Sequence, residues 1–546
     1  MGQKKVLGVS ILAALLAACD GGDVSISPSN VDNSVDNSVT EVPTTPVEEF
    51  SCATYTKDGV VNEGSFDGTN CTYTTGFVDV DNPITVSMTF PNIGEGVHIF
   101  DGSLAIGENH ASQAGLDAAG ISEGGDGAIV TIEAGVTMAF NTTLDYAVVN
   151  RGSQIRANGT AAAPITFTSV NDAVSGTVGA EDVSEWGGMI INGFGVTNKC
   201  SYSGTRGVDL ALTGECNVVS EGRAGDGETH YGGDNDGDNS GVLRYVVVKH
   251  TGAEVAPGNE LNGIAFNAVG SGTVVENLQA YSTFDDGIEF FGGAVDVTNY
   301  VALYVRDDSI DIDEGYIGTI ENALVIQSRL DGNRCVESDG IGSYSSRDQA
   351  TIDDFIARGL NSAATLKNLT CIVSANETGT HDPGQGMRIR EAHFPTISNA
   401  IVTTAYSGDD VLGDDDFSYC VRIDNEGQQA ALDGNLTISS SIVACQDLVD
   451  SSLEGQSTAQ WLTDNGNAVY QSAEAGEDPT SASNGDLVIL DGFYSVPVAS
   501  MVATGATIPT PVDSSIIGAV SADNDWTAPW AFGLREGNRS QALWFE

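Results

Sequence analysis

Short stretches of alternating apolar and polar residues recur through the middle of the chain. LNGIAF begins at Leu261, DDGIEF at Asp285 and DDSIDI at Asp307, spaced by about 22–24 residues. A second series runs in step with the first: VENL around Asn277, VTNY around Asn299, IENA around Asn322, LKNL around Asn368 and ISNA around Asn399. Each stretch is β-branched and bounded by Gly, Asp, Asn or Ser, which is the chemistry of strands and not of helices. A period of about 22–23 residues holding two or three short strands predicts one coil of a parallel β-solenoid. Propeller blades run to about 40 residues with four strands each, so a propeller ranks low. The recurrent asparagine fits a tight turn. It tolerates left-handed backbone angles, and its amide can bond to the amide one coil above. Parity then sorts the side chains. Ile288, Phe290, Ile310 and Ile312 face the core, and Asp285, Glu289, Asp307, Asp311 and Asp313 fall on the outer face.

These motifs resemble the right-handed parallel β-helices of the pectate-lyase-like superfamily, in which such an asparagine ladder is a known feature. The resemblance covers roughly 127–510. VTIEAGVTMAF and AVVNRGSQIRANGTAAAPITFTS within 130–169, and WGGMIING at Trp186, look like the first coils of bacterial surface β-helices. GGDNDGDNSGVLRYVVVKHTG, GMRIREAHFPTISNAIV and IIGAV with DWTAPWAFGL resemble a widespread family of exported β-helix lipoproteins. The implied fold is all-β, a single-stranded right-handed parallel β-helix capped at both ends. Residues 51–126 are expected to form the N-terminal cap and 511–546, with Trp526, Trp530 and Trp544, the C-terminal cap. Residues 200–240 read as a polar insertion.

The N-terminus supplies an address. Lys4 and Lys5 precede an apolar run too short to span a bilayer comfortably, which reads as a secretory signal over 1–18. Its end, LAAC, resembles the lipobox of bacterial lipoproteins, which implies cleavage before Cys19 and acylation of its sulfur. Residues 19–50 are rich in Ser, Asp, Asn, Thr, Val and Pro without an apolar period and read as a flexible tether. The expected location is the cell envelope, with the lipid as the only membrane contact. Eight cysteines remain: Cys52, Cys71, Cys200, Cys216, Cys335, Cys371, Cys420 and Cys445. An even number in an exported chain points to disulfides. Of the roughly 105 possible connectivities, pairing between sequence neighbours is the simplest.

Charge narrows the partners. The chain has 76 Asp and Glu against 21 Lys and Arg, a net charge of −55. Nucleic acid is excluded as a partner, because phosphate binding needs a basic surface. The sequence contains no G-x-S-x-G, H-E-x-x-H, P-loop or G-x-G-x-x-G motif. The carboxylates carry the candidate chemistry. Coils stack about 4.8 Å apart. Two bare carboxylates at that distance repel by roughly 3–4 kcal/mol at an effective dielectric of 20. Calcium is the expected counter-ion at Asp285, Glu289, Asp307, Asp311 and Asp313, since it takes several hard oxygen ligands. Asp234, Asp236 and Asp238 in DNDGDNSG form a second calcium-loop candidate, which departs from the EF-hand pattern at Asn239 and Tyr245. Resemblance to β-helix lyases and glycosidases would give Asp286, Asp308, Arg388 and Arg390 catalytic parts. Arg388 and Arg390 lie far along the chain from the acidic coils, however, and the glycine-histidine-glycine motif of the polygalacturonases is missing. The expectation is a calcium-stabilised binding or scaffold protein for glycans or cell-surface components. The alternative is a calcium-dependent enzyme acting on acidic polysaccharide, a lyase or a glycoside hydrolase.

Overall fold

The computed structural model describes residues 50–546, apart from 223–226, 257–258, 330, 375–383, 406–418, 446, 450–451, 471–486, 504, 536–542, 544 and 546. Cys19, the signal segment, the tether and Trp544 therefore lie outside the described residues. Among the described residues, no helix is long and apolar enough to cross a membrane.

Each coil supplies a short strand to one parallel sheet and a longer strand to a second. Ile264–Asn267, Ile288–Phe291 and Ile310–Asp313 stack in register, Ile264 beside Ile288 beside Ile310. Val274–Tyr281, Asp296–Leu303 and Thr319–Ile326 stack likewise on the second sheet. A constant repeat length makes this possible, because it brings like residues to the same place in every coil. Phe266 stacks on Phe290 with ring centroids 5.3 Å apart, and Phe290 on Tyr316 at 4.2 Å. The result is a continuous column of buried Ile, Val and Phe running along the solenoid.

The asparagines form the ladder that their spacing predicts. Asn277, Asn299, Asn322, Asn368 and Asn399 all have positive φ, between 55° and 63°. Each amide nitrogen donates to the previous coil: Asn299 to Asn277 at 3.0 Å, Asn322 to Asn299 at 2.9 Å, Asn368 to Asn322 at 2.8 Å and Asn399 to Asn368 at 3.1 Å. The same turn carries Tyr245 in the coil before and Ser440 in the coil after, both with φ of 50°.

The solenoid begins earlier than the sequence boundary at 127. Met88–Phe90 pairs parallel with Ile129–Ile132, Val97–Phe100 with Thr137–Phe140, and Leu104–Ile106 with Ala147–Val149. Much of the segment read as a cap is thus coil. What closes the end is a hairpin, Thr54–Lys57 with Val60–Glu63, and the Cys52–Cys71 disulfide. Tyr73, Phe77, Phe90 and Phe100 plug the core beneath them. The other three disulfides also join sequence neighbours: Cys200–Cys216, Cys335–Cys371 and Cys420–Cys445.

The sequence led us to expect a cap over the far end from 511–546; that segment, with the residues from 487 before it, lies elsewhere. It runs along the flank of the second sheet. Trp530, Val520 and Leu534 pack on Val247, Tyr281, Val301, Leu303 and Ile326. Val512 exchanges two hydrogen bonds with the Asn399 side chain, and Phe532 does the same with Gln279. The physical reason lies in the strands. NYVAL and NALVI are apolar at both parities, so each strand must be buried on both faces. At the far end of the coils, Trp461 of the helix Thr458–Asp464 is buried and donates to the Ala431 carbonyl at 3.2 Å.

Two buried histidines give this core a pH signature. His98 sits between Tyr73 OH at 2.8 Å and the Pro91 carbonyl at 2.9 Å, and burial pushes its pKa down to about 4. His393 accepts from Ala364 N–H at 3.2 Å, and burial pushes its pKa down to about 3. Both values lie below that of an unfolded histidine, about 6.5. The unfolded chain therefore gains protons first as pH falls. Stability is fully present above pH 6.5 and is lost as pH drops toward 4, by about 3 kcal/mol for His98 alone. Imidazole NMR resonances of His98 and His393 should still report neutral rings at pH 5. Normal titration near 6.5 would overturn the assignment.

Candidate functional site

The first sheet carries a charged ladder on its outer face. In successive strands Ala265 lies beside Glu289, Glu289 beside Asp311, Asp311 beside Glu337, Glu337 beside Arg388 and Arg388 beside Arg422. Acids fill the earlier coils and arginines the later ones. Arg388 and Arg390 thus share a face with the acidic coils, although an excursion containing the helix Gln349–Ala357 separates them in sequence.

The turns leading into these strands add a second row. Asp286 Oδ1 accepts from Asp308 N–H at 3.0 Å, and Asp308 Oδ1 accepts from Arg334 N–H at 2.7 Å. Each carboxylate ties down the turn of the next coil. The Arg334 guanidinium also reaches Asp308 at 3.2 Å and Glu337 at 2.9 Å. Asp307 accepts from the Asn333 amide at 2.7 Å. Asp308 thus ties the turn of the next coil and pairs with Arg334.

Asp286 is the centre of the acidic group. It forms one triad with Asp285 and Asp307 and another with Glu289 and Asp311, with carboxylate oxygens within 4.8 Å of one another in each. Asp286 is only 6% exposed and Glu289 only 7%. The Asn262 amide nitrogen donates to Glu289, while Asn262 Oδ1 and Asp311 Oδ1 are buried with no hydrogen-bond partner. Burial first, and mutual repulsion second, push Asp285, Asp286, Glu289 and Asp311 well above the usual carboxylate range. Glu221, from the insertion, lies against Glu289 and is raised by burial as well. Fully ionised, these carboxylates would repel by roughly 3–4 kcal/mol per pair, which the raised pKa values relieve by protonation. A hard divalent cation would balance the repulsion instead, taking carboxylate oxygens together with the neutral Asn262 oxygen.

Asp313 stands apart from both triads. Its Oδ1 accepts from Glu314 N–H at 2.6 Å, and burial and then the charge of Glu314 raise its pKa. Among the described residues, Asp234, Asp236 and Asp238 do not converge on a shared metal-ready group. Asp236 forms a bidentate pair with Arg206, both contacts at 2.7 Å, and Asp238 accepts from Gly124 N–H at 2.6 Å and Phe194 N–H at 3.0 Å. Asp234 accepts from Leu212 N–H at 3.4 Å. Asp236, which also accepts from Val196 N–H at 3.0 Å, and Asp238 pin the insertion to the coils. Arg390 pairs with Asp339 through contacts of 2.5 and 2.9 Å and reaches Glu337 at 3.1 Å, and Arg388 reaches Asp424 at 3.3 Å.

The sequence matches the pectate-lyase-like beta helix domain over residues 117–483. The chain belongs to this family. No curated protein and no solved structure matches the chain. In this pectate-lyase-like β-helix, Asp286, Glu289, Asp311, Arg388 and Arg390 all fall inside the matched residues. Glu221, Asn262, Arg334, Glu337 and Asp339 belong to the same face and escaped the sequence reading. RCVES does carry a signal for one of them. Aligned on the DDSIDI strand, it places Glu337 at the outward parity of Asp311.

Proposed function

We propose that this pectate-lyase-like β-helix is an exported, lipid-anchored protein that binds calcium at the Asp286 group and serves as a binding or scaffold surface for glycans or other cell-surface components. One observation carries the reading: two carboxylate triads share Asp286 and are flanked by the buried, unpartnered oxygens of Asn262 and Asp311. Four disulfides fit an oxidising compartment. LAAC at Cys19 supplies the anchor, and the segment up to 50 gives reach from the membrane.

The arginines favour binding over catalysis. A lyase base must give up its proton, and burial alone would help Arg390 to do so. Asp339 and Glu337 outweigh burial and hold its pKa above the ordinary arginine range. Asp424 pairs with both Arg388 and Arg422. These are fixed positive groups, suited to holding an anionic chain and not to abstracting a proton. Two measurements test the proposal. Cys19→Ser should abolish lipid labelling and release a soluble protein. With calcium, the protein should leave pectin and alginate intact. New reducing ends or unsaturated products, lost in Arg388→Ala without a change in Tm, would establish the enzyme reading instead.

A further inference from the structure

The insertion reaches the acidic group with one residue. Val218–Val219 pairs antiparallel with His230–Tyr231, and this hairpin lies over the outer face of the first sheet. Tyr231 OH donates to Glu314 at 2.7 Å, and its ring lies 6.2 Å from that of Phe291. Ser220 Oγ donates to Asn192 Oδ1 at 2.7 Å, while its N–H donates to the Thr229 carbonyl at 2.8 Å. Gly222 follows with a φ of 101°, so close to the Leu261 side chain that a Cβ would collide with it. Both the backbone angle and the close approach call for glycine. Leu261 precedes Asn262. These contacts therefore deliver Glu221 to the side chains of Asn262 and Glu289, and it hydrogen-bonds with both.

An ionised carboxylate only accepts hydrogen bonds, so two carboxyl groups in contact need a shared proton or a shared cation. The surroundings favour the cation. Glu221, Asp286, Asp311 and Asp285 are the main charges acting on Glu289, and every one is acidic. Asn262 supplies an independent sign. It is 4% exposed, its amide nitrogen is spent on Glu289, and its Oδ1 has no partner. Calcium takes about 6–8 oxygens. Asp286, Glu289, Asp311 and Asn262 offer four side chains from the coils and the turn beside them. Glu221 offers a fifth from a distant part of the chain.

We propose that Glu221 is a ligand of the cation held by Asp286, Glu289 and Asp311, and that the ion seals the edge of the insertion onto the coils. The proposal rests on the calcium reading of the Asp286 group and adds where the ion sits: enclosed between two parts of the chain, not open to a sugar from outside. The coils form one side, and residues 220–222 form the other. The insertion has further fastenings that need no ion, the Cys200–Cys216 disulfide and the Arg206–Asp236 pair. Calcium therefore acts on the edge at 220–222 and on the hairpin that carries it, not on the insertion as a whole.

The test uses the full-length protein with calcium chloride or with chelator. Glu221→Gln keeps the length of the side chain and one oxygen but removes the charge. It should weaken calcium binding in calorimetry by about tenfold or more, since the charge of the ligands sets affinity at such sites. In chelator its Tm should equal or exceed that of the parent, because one of the crowded acids is gone. Hydrogen exchange reads the seal itself. In the parent, calcium should slow exchange both in Ile288–Phe291 and in the hairpin strands Val218–Val219 and His230–Tyr231. In Glu221→Gln, at calcium high enough to fill the weakened site, the slowing should persist in Ile288–Phe291 and fall away in the hairpin. Thr437–Ser439, several coils further on, should not respond in either protein. Unchanged calcium affinity in the variant, or a parent hairpin indifferent to calcium while Ile288–Phe291 responds, would overturn the seal and leave the calcium site standing. A parent that responds to calcium in neither segment would overturn both.

Discussion

Millimolar calcium should raise the unfolding temperature by about 2–4 °C over the value in chelator, given a site held at about a hundred times its dissociation constant. The cause is electrostatic. Asp285, Asp286, Glu289, Asp307 and Asp311 are brought together by coil stacking, and each close pair, once ionised, repels by roughly 3–4 kcal/mol. An ion that binds only the folded arrangement converts that repulsion into attraction. Asp286→Asn separates this account from a general salt effect. Asparagine has almost the same shape, and its Oδ1 can still accept from Asp308 N–H, so the turn is preserved. Only the charge shared by the two triads is lost. The variant should therefore be as stable as the parent in chelator, or more stable, and should lose the calcium shift. A parent protein indifferent to calcium, or a variant that keeps the full shift, would refute the site.

The coils around this site were legible for a simple reason. Between Leu261 and Asn322 the repeat length barely varies, so equal spacing in sequence becomes equal position in space. Asn277, Asn299 and Asn322 could be placed on one turn, and Glu289 and Asp311 on one face, from counting alone. Counting fails where the chain leaves the solenoid. Between Ser338 and Thr365 it makes an excursion with its own helix, and the register of Arg388 against Glu337 cannot be read across that gap. The first coils were hidden differently. Met88–Phe90 and Leu104–Ile106 are three-residue strands without the asparagine that marks later turns. The 234–238 loop shows a third limit. Alternate aspartates have the spacing of a calcium loop, but spacing does not say where each carboxylate points. Arg206 and the amides of Gly124 and Phe194 had already claimed two of them. Nor does composition reveal that Trp526 and Trp530 cover a flank. That follows from strands apolar on both sides, which must be covered by something.

Asn299→Leu should destabilise the chain by about 3–8 kcal/mol. Asn299 stands in the middle of the ladder, donating to Asn277 and accepting from Asn322. Leucine removes both bonds and leaves the Asn277 oxygen and the Asn322 amide without partners, at about 1–3 kcal/mol each. It must also adopt the φ of 63° found at this turn, where a Cβ-bearing residue pays about 1–2 kcal/mol. Two further substitutions divide the loss. Asn299→Gly loses the same bonds but accepts the left-handed turn freely, so it should be milder than leucine by the strain alone. Asn299→Asp keeps an acceptor for Asn322 and tolerates the turn, yet cannot donate to Asn277. The expected order of stability is asparagine, then aspartate, then glycine, with leucine last. Because each coil contacts only its neighbours, the damage should also be local. Hydrogen exchange should quicken first in Val274–Tyr281, Asp296–Leu303 and Thr319–Ile326, while the coils near Val97–Phe100 stay protected. A leucine variant as stable as glycine, or exchange that quickens uniformly along the solenoid, would show that the ladder does not hold the coils in register.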